Sequence, residues 1–224
     1  MKRLLLAGIA CVALAASPAL AADMPPSRAP AYRPALVPYF NWTGVYVGLN
    51  AGGGWGGSSW ESAAAFSTGR FNVPGGMIGG TAGANVQSGG VVFGLEGDIA
   101  WAAFRGTTTT GCAAGCQTAV DWFGTARARL GLAFDAFLPY VTGGAGFGNI
   151  RASTPGFTGA NQTKVGWTAG GGLEYAWTGN WSAKLEYLYV DLGQFDCGFS
   201  CGAVSPNIVR FNAHLLRAGV NYKF

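Results

Sequence analysis

Side chains able to do chemistry are few in this chain, and their placement is unusual. Charged residues make up 11% of the 224, and there is a single histidine, His214. A nucleophilic triad or an acid pair needs several such groups converging in one loop cluster. One histidine and the loop acids Glu61, Asp191 and Asp196 do not supply that, so no catalytic residue is assigned and no enzyme is expected. Gly144-Ala145-Gly146-Phe147-Gly148 has the glycines of a phosphate loop, but no Lys-Ser/Thr and no helical pattern follow it. Cofactor and metal sites are likewise unassigned. Cysteine is the one reactive type with a pattern, in two Cys-x3-Cys clusters, Cys112/Cys116 and Cys197/Cys201. In an exported chain an even cysteine count reads as disulfides, and a bridge within each cluster is the simplest pairing. Zinc and free thiols are the alternatives, although neither cluster contains a histidine.

The remaining charges recur at a spacing of two. Glu96 and Asp98 share one parity, opposed by Phe93, Leu95, Ile99 and Trp101; Arg127 and Arg129 oppose Ala126, Ala128, Leu130 and Leu132. Glu174, then Lys184 and Glu186, then Arg217 repeat the pattern against Leu173, Tyr175, Leu185, Tyr187, Leu216 and Val220. Period two is the signature of a strand with two unlike faces. Arg or Lys facing lipid near the bilayer midplane costs roughly 2–4 kcal/mol, so charges in a membrane barrel must all point inward. The eight residues Glu96, Asp98, Arg127, Arg129, Glu174, Lys184, Glu186 and Arg217 are therefore assigned to a lumen charge network. Constant index sums along antiparallel pairs suggest Glu96 opposite Arg129, Asp98 opposite Arg127, Glu174 opposite Lys184 and Glu186 opposite Arg217. An eight-stranded barrel is only wide enough for side chains to fill, which predicts a polar plug and no open channel.

The elements that would hold these charges follow from the pattern. Eight strands are predicted near 42–57, 75–87, 91–106, 121–133, 138–151, 164–177, 181–192 and 209–224. Short and long connections alternate, as tight periplasmic turns and longer outer loops do in a transmembrane barrel. Trp42 and Trp55, Trp122 and Phe134, and Trp167 and Trp177 are read as interface aromatics at the two ends of a span, and His214 as an outward residue at an interface. With 38 glycines and 50% hydrophobic residues, the composition argues against both a helical protein and disorder.

Residues 1–21 read as a signal peptide, with Lys2 and Arg3, an apolar run from Leu4 and Ala19-x-Ala21 before the cut. Removing Lys2 and Arg3 from 14 basic residues leaves 12 against 10 acids, a net of +2, too mild to suggest nucleic acid. Residues 22–41 form a Pro-rich periplasmic tail with Arg28 and Arg33, and residues 42–224 an outer-membrane β-barrel domain.

Several of these segments resemble a known family. Asn41-Trp42-Thr43-Gly44-Val45-Tyr46-Val47-Gly48, Phe93-Gly94-Leu95-Glu96-Gly97-Asp98, Asp121-Trp122-Phe123-Gly124-Thr125 with Arg127-Ala128-Arg129-Leu130-Gly131, and Leu138-Pro139-Tyr140-Val141-Thr142-Gly143-Gly144 are similar to the small outer-membrane β-barrel proteins of alphaproteobacteria. This is the RopB-like "porin family" group, a branch of the OmpA/OmpX-like eight-stranded barrels. The fold it implies is all-β, an eight-stranded antiparallel up-and-down transmembrane barrel in the Gram-negative cell outer membrane. The final strand, with Gly219, Tyr222 and Phe224, resembles the signal read by the barrel-assembly machinery. Implied partners are that machinery, periplasmic chaperones, outer-membrane lipids and lipopolysaccharide. The function implied is structural, in envelope integrity. The alternatives are a narrow porin for small solutes, or a surface receptor or adhesin, haem binding included, acting through disulfide-tied outer loops.

Overall fold

The computed structural model describes residues 40–62, 66–202 and 207–224. Residues 1–21, and the tail up to residue 39, lie outside the described residues. Eight strands are described: β1 Gly44–Ser62, β2 Phe66–Ser88, β3 Val91–Thr108, β4 Cys116–Leu132, β5 Phe137–Ser153, β6 Ala160–Thr178, β7 Trp181–Asp196 and β8 Asn207–Lys223. Each pairs antiparallel with its sequence neighbours, and β1 pairs with β8, so the sheet closes without an edge. Closure satisfies the strand backbone inside the sheet, the condition for crossing a bilayer with strands.

At one end the connections are tight. Gly89 and Gly179, with φ of 60° and 28°, take the left-handed conformation that their turns require. At the other end the strands run further than the alternation of apolar outward residues predicts. The segment 58–74, read from sequence as a loop, is largely strand, and so are Thr107–Thr108, Cys116–Val120, Ala152–Ser153, Ala160–Thr163, Gly193–Asp196 and Asn207–Ile208. Membrane barrel strands are legible from large apolar residues on the outward parity, and these extensions are mostly polar there, with Ile208 the large exception. Most of their large apolar residues point inward instead: Trp60, Val73, Val120 and Phe195 are all buried.

The outer wall carries an apolar band. Leu49, Leu95 and Val141 project outward and exposed, and the outward positions between the two aromatic levels hold no charge among the described residues. Cross-strand register aligns the upper level, with Trp55 opposite His214, His214 opposite Tyr189, and Trp101 opposite Trp122. Ring contacts continue it, Trp122 to Phe147 at 6.3 Å and Trp167 to Tyr189 at 5.2 Å. Trp177, Trp181, Tyr222 and Phe224 mark the lower level. Ten residues of tilted strand separate Trp167 from Trp177, which gives a band about 25 Å tall, the hydrocarbon thickness.

Trp42 departs from the sequence reading. It is not an interface residue: it is 2% exposed and lies beneath the barrel with Val92, Leu138 and Ala176, donating its indole N–H to the Asp135 carbonyl at 3.2 Å. Its parity is that of the inward residues of β1, and parity overrides spacing.

Candidate functional site: a layered lumen

The lumen is filled in three layers. Trp42, Val92, Leu138 and Ala176 form an apolar floor, against which Phe40 packs. Above it lie the eight charged residues picked out by parity, all buried, four acids and four bases. The upper half is apolar, with Trp60, Val73, Phe104, Phe123, Ile150, Leu188, Phe195 and Phe211 in one cluster. The expected polar plug thus occupies only the middle of the barrel. Above the membrane band the wall faces water outside and packs on itself inside, as in a soluble protein.

Within the charge layer two arginines act as hubs. Arg217 grips Asp98 with two parallel bonds, Nη1 to Oδ1 at 3.0 Å and Nη2 to Oδ2 at 2.9 Å, and donates its Nε to Glu186 Oε2 at 2.6 Å. Arg127 donates to Glu186 Oε1 at 2.8 Å, to Asp98 Oδ2 at 3.0 Å, and to Glu96. Bidentate guanidinium–carboxylate geometry is the strongest form of such pairing. Arg129 reaches Glu174 Oε2 at 2.6 Å, and Lys184 reaches Glu96 Oε2 at 2.8 Å. Equal numbers of acids and bases leave the layer neutral, which matters because an uncompensated buried ion costs several kcal/mol.

Register explains part of this layer. Glu174 faces Lys184 and Glu186 faces Arg217 across their hairpins. Across β3 and β4, however, Glu96 faces Arg127, Asp98 faces Thr125 and Gly94 faces Arg129. The pairing sum suggested from sequence is therefore off by two residues, because a β-bulge between Trp101 and Phe104 and a seven-residue outer turn separate these strands. Glu174 and Lys184, though opposite, bond across the lumen to Arg129 and Glu96 instead.

Sequence reasoning missed the neutral members of the layer. The Tyr46 hydroxyl donates to Glu96 at 2.7 Å, Tyr140 donates to Glu186 at 3.0 Å, and the Arg129 guanidinium stacks 4.2 Å over the Tyr140 ring. Thr125 donates to Asp98; Ser182 and Asn221 donate to Glu174. Their signal was present: Tyr46 and Tyr140 lie on the inward parity of β1 and β5. Gly83 and Gly172 make room for them, since a Cβ at either would press into the Tyr46 or Tyr140 ring. Two lumen cavities measure about 20 and about 10 Å³, room on the order of one water molecule each.

The outer loops are braced by Cys112–Cys116 and Cys197–Cys201 disulfides. Cys116, Cys197 and Cys201 are buried in the upper apolar cluster, so the bridges tie the loops to the barrel's own core. Among the described residues no group of three or more His, Cys, Asp or Glu is placed to hold a metal. His214 stacks on Trp55 and lies 2.7 Å through Nδ1 from the Tyr187 hydroxyl, on the outer wall. Gly219 and Tyr222 lie at the end of β8 on the floor side of the barrel, and Phe224 follows the strand.

Closed topology, an apolar wall and inward charge are what a comparison with known proteins must match. Residues 7–224 match the outer membrane protein beta-barrel domain. The chain belongs to this outer-membrane β-barrel family. It is 38% identical over 245 residues to the 31 kDa outer-membrane immunogenic protein of Brucella melitensis biotype 1, covering all of both chains. It is 29% identical to the 25 kDa outer-membrane immunogenic protein of Brucella canis, over all of this chain and 99% of that one. The 22 kDa outer membrane protein of Rhizobium leguminosarum bv. viciae is 29% identical over 63% of each chain. Among solved structures, OprG from Pseudomonas aeruginosa aligns with a TM-score of 0.54 at 15% identity, covering 82% of this chain and 97% of OprG, a likeness of fold. The protein is thus an outer-membrane β-barrel, as the resemblance implied.

Proposed function

We propose that this family member is a closed structural barrel that strengthens the outer membrane, without conducting solutes and without catalysis. The observation that carries this reading is the filled lumen: an apolar floor, a neutral layer of paired charges and an apolar upper core follow one another along its length. A conducting barrel of this size would need a continuous polar path, and the Arg127 and Arg217 hubs cross the lumen at its middle. The cleaved signal, the Pro-rich periplasmic tail, and Gly219, Tyr222 and Phe224 as the assembly signal belong to the same proposal.

Deletion and complementation test it. Loss of the protein should raise uptake of a hydrophobic dye and sensitivity to detergent, leaving uptake of small hydrophilic solutes unchanged. A fall in hydrophilic-solute uptake on deletion would instead make it a pore. A second reading, surface recognition, is favoured by Phe157 and Phe199, 40% and 70% exposed on outer loops joined by a Gly159-to-Ser200 backbone bond. The relatives' description as immunogenic fits outer loops that are accessible from outside the cell. Loss of cell-surface binding on replacing Phe199, with the barrel intact, would support it.

A further inference from the structure

Four arginines face outward from the barrel, and the register sorts them into two matching pairs. Arg70 on β2 and Arg210 on β8 both face Ser59 on β1. Arg105 on β3 and Arg151 on β5 both face Ala119 on β4. Each pair therefore brackets one small residue, with backbones two strand spacings, or about 9–10 Å, apart. Both pairs lie about four residues above the upper aromatic level, about 10 Å along the barrel axis. Among the described residues the other cations belong to the lumen or its two mouths, so the outward positive charge is concentrated here.

Local partners hold these cations only weakly. Arg151 meets Asp121 at 2.9 Å and Arg210 meets Glu61 at 3.9 Å, but both pairs are more than one-third exposed, where ion pairs are screened and labile. Arg70 leans across Gly57, which has no side chain to block it, to Asn212 Oδ1 at 2.6 Å. Below each bracket the central strand carries one outward tryptophan of the upper aromatic level, Trp55 on β1 and Trp122 on β4, and beneath it small outward residues, Ala51 and Gly53 on β1 and Ala126 and Ala128 on β4. Each site is thus a cationic bracket above a shallow apolar track.

We propose that the two brackets are lipid sites, each taking one bisphosphorylated glycolipid, the lipid A part of lipopolysaccharide. The two phosphates bridge the arginines, and an acyl chain lies in the track. This names the binding residues for the outer-leaflet contact that a membrane-strengthening barrel requires, and so rests on that reading. A lipid with a single phosphate satisfies only one arginine of a bracket.

The test is native mass spectrometry of the folded protein in detergent, titrated separately with bisphosphorylated lipid A, monophosphorylated lipid A and phosphatidylglycerol. The wild type should retain two bisphosphorylated lipid A molecules, and each double variant, Arg70→Gln with Arg210→Gln or Arg105→Gln with Arg151→Gln, one. Monophosphorylated lipid A should bind about tenfold more weakly, the loss of one charge-assisted contact. Two molecules retained by a quadruple variant that still shows heat-modifiable migration would overturn the proposal. Equal retention of phosphatidylglycerol would also overturn it, by reducing the brackets to general charge attraction. Failure here is separate from failure of the closed-barrel reading, which shows as conductance whatever the lipid count.

Discussion

In the middle of the membrane band the barrel is apolar outside and charged inside; above the upper aromatic level the same strands are polar outside and apolar inside. β3 shows the reversal in one strand: Leu95, Ile99 and Trp101 face out against Glu96 and Asp98, then Arg105 faces out against Phe104. Along β3 the period of two never breaks. Only its sense inverts, where lipid gives way to water. This solves a problem of export as well as of folding, because a strand apolar on both faces would build the long uninterrupted apolar run that reads as a membrane helix. In the middle of the membrane band the lumen is polar, between the apolar floor and the upper cluster, and a polar layer this narrow must be neutral and paired. Above the band it is free to be a hydrophobic core.

The comparison breaks most sharply at the hub of the charge layer. Glu186→Ala leaves Arg127 and Arg217 short of a carboxylate in a buried layer and should cost about 3–5 kcal/mol, read as a lower urea midpoint of folded protein on unboiled gels. Reversing the wall should cost less. Leu95→Arg places a cation against lipid for about 2–4 kcal/mol, measured by the same unfolding, with no change expected in the lumen contacts. In the upper core the effect is ordinary packing: Ile150→Val should cost about 0.5–1.5 kcal/mol and be insensitive to salt. Smallest is Asp121→Asn, which removes an exposed pair with Arg151 and should shift stability by less than about 1 kcal/mol. If Ile150→Val rivalled Glu186→Ala, the two halves of the lumen would not differ as described.

How much of this was legible in the sequence follows from the same inversion. Inside the membrane band the lumen charges stand out because every neighbour on the other parity is apolar, and strand, face and charge layer can be read together. Above the band the outward residues Arg70, Asn72 and Gln117 look like loop, and the buried Trp60, Val73 and Val120 look like isolated hydrophobics. Only closure of the sheet shows that they share a core. Register across β3 and β4 was out of reach for a different reason: it is set by the length of the outer turn and by a bulge that turns both Val120 and Phe123 inward, above the stretch where the charges alternate. Trp42 was misread because spacing was weighed ahead of parity, which its position already contradicted.

The filled lumen is tested most directly by planar-bilayer recording of the folded wild-type protein. A barrel blocked by its own floor, ion pairs and upper core should show no stable unitary steps in salt on the order of 1 M, the regime where exposed pairs are screened and buried ones are not. Regular, long-lived steps from the wild type would contradict it.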